Sequence, residues 1–472
     1  MSFQIESSVQ SNYSFLQISV NPFDGNNRDN PKPGKSNVYI CALNTINTVL
    51  GGGILTLPYT MLQCGVIFGT TAFIISLLMG IICIKLLLEL KEITGHSCYA
   101  SIAYECMGRK GLIVINILIA ILCLGVPLMF IVVFADAATP LVEDLLFENY
   151  SRTREIVVVC NAIILLWFCF NKEVHNLRIA SYTSIICVGL FFYVIVHILI
   201  YHWEELDNKI FDHIDNRKDG YTLTIPNIIL AFGFHPCFFP LYNSLKPELK
   251  NSKSGMKFTS MAFVFTFVVY ISICCFSLII FGDSLKSDIL KNISESDYEY
   301  RRFILFVYLI ISLMHMPMVF FSGKEAFLNL CIELKYGKIS QYCEKVKSDS
   351  ALKTALTTME YKSKSFVKEM DNLEYYILTS VVYITTFSIA FIVTDLGQIV
   401  AFLGTSTCFV LCFPIPAIFY LLLTKPPTSP RHAPSQTSCN KSLFLKYTSW
   451  AILAVSTLFM ADLAYEVVQI LR

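Results

Sequence analysis

Eleven stretches of this chain are apolar over lengths that match a lipid bilayer, and that repetition limits the fold more than any other feature. A spanning helix needs about 20 predominantly apolar residues, each advancing roughly 1.5 Å. The stretches run 39 to 63, 67 to 88, 111 to 140, 155 to 170, 179 to 201, 223 to 243, 258 to 281, 303 to 322, 375 to 394, 398 to 423 and 447 to 469. Composition agrees: 55% of the 472 residues are hydrophobic and 15% are charged, against roughly 25% charged in an ordinary soluble domain. So few charges cannot cover so much apolar side chain in water, which excludes a soluble enzyme and makes the lipid bilayer a partner. A net charge of +1 offers no global field for nucleic acid. Most of the seventeen cysteines sit inside apolar stretches, as Cys83, Cys123, Cys187, Cys274 and Cys275 do, and read as small core residues. The expected fold class is an all-α membrane protein with eleven transmembrane helices.

Basic residues fix the expected orientation, because Lys and Arg resist translocation. With the N-terminus inside, inner segments hold 26 of the 36 basic residues, which predicts a cytosolic N-terminus and a C-terminus that is outside or lumenal. Residues 1 to 38 are polar, lack a signal-peptide pattern and are expected to form a disordered cytosolic tail. The inner segment 323 to 374 reads as a cytosolic loop with amphipathic helices at the membrane surface. Of four glycosylation sequons, Asn149 and Asn292 fall on outer loops while Asn12 and Asn440 fall inside, so they discriminate nothing.

Two of the apolar stretches are interrupted. The first carries Gly51, Gly52 and Gly53 at mid-span with Pro58 five residues on. Each glycine costs about 1 kcal/mol relative to alanine in a helix interior, and the proline removes an amide donor. The sixth carries Gly233 and Pro236, then Pro240. Backbone groups freed inside hydrocarbon are tolerated only where they are buried in protein or line a cavity. Breaks in the first and sixth helices match a 5+5 inverted repeat, here 39 to 201 and 223 to 423, with 447 to 469 as one extra helix. An odd number of spans per half brings the two breaks together at the midplane, where amides face a carboxylate and carbonyls face a small cation. Close packing through small residues is the competing explanation for the glycines.

Four motifs carry a resemblance. Asn47 through Pro58 is similar to N-x-x-x-G-x-G-I-L-x-L-P, and Phe232 to Leu245 resembles F-x-C-H-P-x-x-x-P-I-Y, with Phe234 in place of the cysteine. Tyr99 through Gly108 and Pro317 through Lys324 match further segments, Lys324 standing where an arginine is usual. Together these resemble the amino acid/auxin permease family, and within it the sodium-coupled neutral amino acid transporters. The resemblance implies a LeuT-type fold for residues 39 to 469 and transport of a small neutral amino acid by alternating access coupled to Na⁺ or H⁺. It places the substrate at Gly51, Gly52, Gly53, Phe232 and Gly233, and the cation at Asn47 and the Leu50 carbonyl. The eighth helix departs from the pattern. Ser312 remains as an oxygen ligand for Na⁺, while His315, whose imidazole titrates near neutral pH, offers a proton carrier instead.

Ionisable groups inside a span are functional candidates because burying them is costly. His235 and Asp136 share that status with His315, although His235 could simply bond carbonyls freed at the break, and Asp136 lies near the outer boundary, where water can reach it. A membrane sensor that binds the amino acid and moves little of it is the alternative to a carrier. An enzyme is disfavoured: no G-x-S-x-G and no phosphate-cradling loop occurs. No cofactor beyond the coupling ion is expected, nothing requires a second copy of the chain, so a monomer is expected, and either the plasma membrane or a vacuolar or lysosomal membrane fits.

Overall fold

The computed structural model describes residues 36–50, 52–146, 152–170, 177–201, 221–296, 298–348, 367, 370–424 and 436–471. The expected tail, up to residue 35, lies outside them, as do Asn149 and residues 349–366 of the inner segment. Among the described residues the regular structure is helical, with one isolated backbone bridge between Ser36 and Leu245.

The first half comprises α1 (Val38–Val49), α2 (Leu57–Cys64), α3 (Val66–Thr94), α4 (Tyr99–Leu146), α5 (Thr153–Phe170) and α6 (Leu177–Tyr201). The second comprises α7 (Tyr221–Ala231), α8 (His235–Asn243), α9 (Ser252–Phe281), the short α10 (Ile289–Glu295), α11 (Arg301–Tyr336), α12 (Lys338–Ser348) and α13 (Asn372–Ile392). Then come α14 (Leu396–Leu403), a π-helical turn (Gly404–Cys408), α15 (Phe409–Cys412), α16 (Pro414–Leu423) and α17 (Gln436–Leu471). Eight segments among the described residues are long and apolar enough to cross a membrane: Val66–Thr94, Tyr99–Leu145, Thr224–Asn243, Ser252–Ser284, Arg301–Tyr336, Asn372–Ile392, Leu396–Leu423 and Leu443–Ala461. Val38–Val49 and Ile185–Ile200 are apolar helices of shorter length.

Apolar side chains point both ways along these helices. Phe73, Leu87, Phe263 and Tyr270 are buried inward, whereas Ile75, Leu78, Val268 and Leu458 are exposed on outward faces, the pattern that lipid allows and water penalises. The longest contact is α11 along α4, so close at Gly323 that an added Cβ would lie 2.4 Å from the Cys123 carbonyl oxygen. The helix α1 packs on α9, which also packs on α3, while α17 covers α16.

Several helices outrun their apolar stretches, α4 and α11 among them. Helix α4 begins at Tyr99 instead of 111 and bends at Gly108, whose φ of 63° is open to glycine and strained for other residues. Helix α11 continues past residue 322 to Tyr336, where Gly337 in the left-handed region (φ 61°) ends it. In that extension Glu333 is fully buried. It accepts from Arg109 Nε at 2.9 Å and caps α12 by accepting from the amides of Ile339 and Ser340, both at 3.0 Å.

Candidate functional site

The helix α1 stops at Val49: Leu50 still donates to the Ile46 carbonyl at 2.8 Å, but its ψ of 41° turns the chain away. Gly51 lies outside the described residues. Gly52–Leu55 form a 3₁₀ turn, closed by the Thr56 amide and hydroxyl, which both reach the Gly53 carbonyl at 3.1 Å, before α2 begins with Pro58 in its first turn. Proline fits there because a first-turn amide has no helical partner to lose.

The helix α7 stops at Ala231. Phe232 and Gly233 make tight-turn bonds to Ile229 and Leu230 at 3.2 and 2.9 Å, Phe234 donates to Phe232 at 2.8 Å, and α8 starts at His235 with Pro236 behind it. A Cβ on Gly233 would lie 2.4 Å from the Cys408 sulfur, so only glycine fits the π-helical turn against this helix break. The two stops are neighbours. A Cβ built on Gly53 would touch Ala231 Cα at 3.9 Å, and Asn227 of α7 donates to Thr60 of α2 at 3.0 Å.

One residue reaches both helix ends. Tyr270 of α9, fully buried, donates its hydroxyl to the Val49 carbonyl at 2.6 Å and lies 3.3 Å from the Ala231 carbonyl. Its ring stands edge-on to Phe232, with centroids 5.9 Å apart, and 6.3 Å from Phe73. Phe232, expected to line the site, is buried among Phe73, Phe263 and Tyr270. Sequence reasoning passed over Tyr270. The available signal was a polar stripe, Thr259, Thr266, Tyr270 and Ser277, along one face of an otherwise apolar helix.

The expected cation residues fall on two different helices. Asn47 is buried in α1, its amide oxygen without a partner, and Leu50 is buried just after it. Ser312 of α11 donates to the Tyr308 carbonyl at 2.9 Å, which leaves its oxygen lone pairs to accept. His315 lies with Nδ1 3.1 Å from the Ile311 carbonyl, its ring stacked on Phe130 at 5.2 Å and its Nε2 buried without a partner. Because α11 packs chiefly on α4 and α1 chiefly on α9, no hydrogen bond among the described residues joins the two pairs. Neutral oxygens of this kind suit a hard monovalent ion.

The remaining ionisable candidates find protein partners. His235 Nε2 lies 3.2 Å from the Gly80 carbonyl of α3, tying the second break to that helix. Asp136 is buried rather than open to the outer boundary: Arg154 of α5 pairs with it, and Lys291 of α10 lies 3.5 Å from its other oxygen. Beside it, Asp288 is fully buried at the N-cap of α10, where it accepts from Leu290 at 2.8 Å. Burial first, and the neighbouring Asp136 second, raise the Asp288 carboxyl well above its ordinary value. Lys324 is buried in α11 and donates to the Cys169 carbonyl and the Tyr375 hydroxyl, both at 2.8 Å, fastening α5 and α13 to its own helix.

The fold resembles that of a solved transporter. The chain aligns with Mhp1, a nucleobase-cation-symport-1 family transporter in a closed conformation with bromovinylhydantoin bound, at a TM-score of 0.53 and 11% identity, over 94% of this chain and 96% of that one. Its sequence is 19% identical over 399 residues to the sodium-coupled neutral amino acid transporter 7 of Xenopus laevis, covering 80% of each. It is 23% identical over 265 residues to the vacuolar amino acid transporter 5 of Schizosaccharomyces pombe; that match covers 54% of this chain and 61% of the yeast protein. The class is therefore a multi-pass helical membrane transporter with a LeuT-like fold, not an enzyme. The chain belongs to the transmembrane amino acid transporter protein family, whose signature spans residues 34–467.

Proposed function

We propose that this protein is a secondary active transporter that moves a small neutral L-amino acid across a plasma or vacuolar membrane by alternating access, coupled to Na⁺ or H⁺. The observation that carries the reading is the meeting of two interrupted helices, where Gly53 faces Ala231 and the carbonyls of Val49 and Ala231 converge on one hydroxyl. Counting α1 with α2, α5 and α6 beside the eight longer segments gives eleven spans, arranged as residues 39–201, 223–423 and 447–469. The two breaks then lie near the midplane, with the N-terminus cytosolic.

In this reading the amides of Gly51, Gly52 and Gly53 take the substrate carboxylate, because a half-helix N-terminus carries partial positive charge. Phe232 and Gly233 line the opposite side. The cation sits at Asn47 and the Leu50 carbonyl, with Ser312 completing an oxygen shell for Na⁺ or His315 carrying a proton on Nε2. Bound cation favours the substrate-binding state by its higher affinity for it, which is the coupling. The relatives, one a sodium-coupled neutral amino acid transporter and one a vacuolar amino acid transporter, support this substrate class, ion and membrane.

The test is uptake of a radiolabelled amino-acid panel by proteoliposomes under an imposed Na⁺ gradient and, separately, a pH gradient. Neutral amino acids should accumulate and be stopped by collapsing the driving gradient. Ser312→Ala removes the response if Na⁺ drives transport, and His315→Gln removes it if H⁺ does. Binding without flux under either gradient would replace the carrier with a sensor.

A further inference from the structure

Tyr270 sits at a point where two helix ends converge. Val49 is the last residue of α1 and Ala231 the last of α7, so both carbonyls lie at the negative end of a half-helix and neither has a following turn to bond it. They come within 2.6 and 3.3 Å of one oxygen, the Tyr270 hydroxyl. A phenol has a single proton, which the shorter contact assigns to Val49. The second carbonyl is therefore left with a poor donor. A primary ammonium, carrying a full charge and three N–H groups, satisfies two such carbonyls better than a phenol does.

We propose that the Tyr270 hydroxyl is a tethered stand-in for the ammonium group of the substrate, holding the Val49 and Ala231 carbonyls until an incoming amino acid displaces it. This rests on the transport reading above. The hydroxyl is thus a competitor inside the protein, and it lowers apparent affinity by the fraction of time it occupies the carbonyls. It also keeps the buried Val49 carbonyl bonded while the breaks are closed against each other, which would otherwise be costly. The ring is pinned among Phe73 and Phe232, so displacement moves Phe232 as well, and arrival of the ammonium is felt by the aromatic wall. Tyr270 acts as a positioning residue in this scheme.

Tyr270→Phe keeps the ring and removes only the competing donor. Equilibrium binding of a labelled neutral amino acid to purified protein, together with proteoliposome uptake, should show affinity tightened and KM lowered by about fivefold, the weight of one ordinary hydrogen bond. Unchanged affinity would reduce Tyr270 to a structural strut, and weakened affinity would make the hydroxyl a substrate ligand; either overturns the proposal. Tyr270→Leu, compared at equal monodispersity, separates the ring's contribution from that of the hydroxyl. Flux absent with binding intact would sink the transport reading while the binding ratio still judged Tyr270. Binding of no amino acid by either protein would sink both.

Discussion

Gly53 and Ala231 approach so closely that the smallest side chain placed on the glycine would rest against the Ala231 backbone at 3.9 Å. That distance is ordinary van der Waals contact, which sets a sharp size limit. Gly53→Ala should retain most uptake, whereas Gly53→Leu should abolish it while the protein still elutes as a single species. Equal uptake by the two variants would show that the helix ends need not meet.

The second break makes a different demand. A Cβ on Gly233 would fall 2.4 Å from the Cys408 sulfur and 2.9 Å from the Leu230 carbonyl oxygen. Gly233→Ala should destabilise the detergent-solubilised protein by about 1–3 kcal/mol, the usual cost of overpacking. Adding Cys408→Ala should return part of the lost melting temperature, since it removes the nearer clash. No recovery in the double variant would assign the cost to the backbone alone.

At the membrane's inner edge, in the proposed orientation, Ser36 donates to the Ser244 carbonyl and receives from the Lys246 amide, both at 3.1 Å. These bonds tie the start of α1 to the end of α8. Cysteines at Ser36 and Leu245, introduced with Cys41→Ala to remove a nearby thiol, should form a disulfide on mild oxidation, because bridge partners lie within disulfide reach. Oxidation should stop uptake and reduction restore it. Full activity in the oxidised protein would mean that this end of the molecule stays shut throughout the cycle.

Asp288 should give the protein a pH response. Its carboxyl is raised above the ordinary carboxylate range by burial and by Asp136, so the folded protein binds this proton more tightly than the unfolded chain does. The resulting stability is fully present at low pH, below the unfolded value, and is lost as pH rises through the folded one. Melting temperature in detergent should therefore fall from about pH 4 upward, and Asp288→Asn, neutral at every pH, should flatten that slope. The same slope in both proteins would place the titrating group elsewhere.

Eight of the eleven expected spans were legible, because hydropathy records what a side chain must face, and lipid on one side with protein on the other leaves long apolar runs. It does not record where a helix ends. Residues 323 to 336 include four charged side chains, yet they continue α11, since Glu333 is held there by Arg109, more than two hundred positions away. The same limit hid Tyr270. Its partners, Val49 and Ala231, lie 221 and 39 residues away, and nothing local marks one tyrosine of α9 as the contact between two helix ends. Asp136 could be flagged as costly from the sequence, but its partners Arg154 and Lys291 come from two other helices that only the packing brings together. The glycines and prolines of the two interruptions were readable because their backbone chemistry acts at their own positions, at Gly52–Leu55 and between Ala231 and His235.

The fastening between Ser36 and its two neighbours is made entirely of main chain. Ordinary amino-acid replacement cannot delete it, because nearly every residue brings the same amide and carbonyl. Proline at position 36 is the exception, since it arrives without the amide hydrogen. Random mutagenesis would therefore rarely loosen this clasp, and a genetic screen for lost uptake would overlook it.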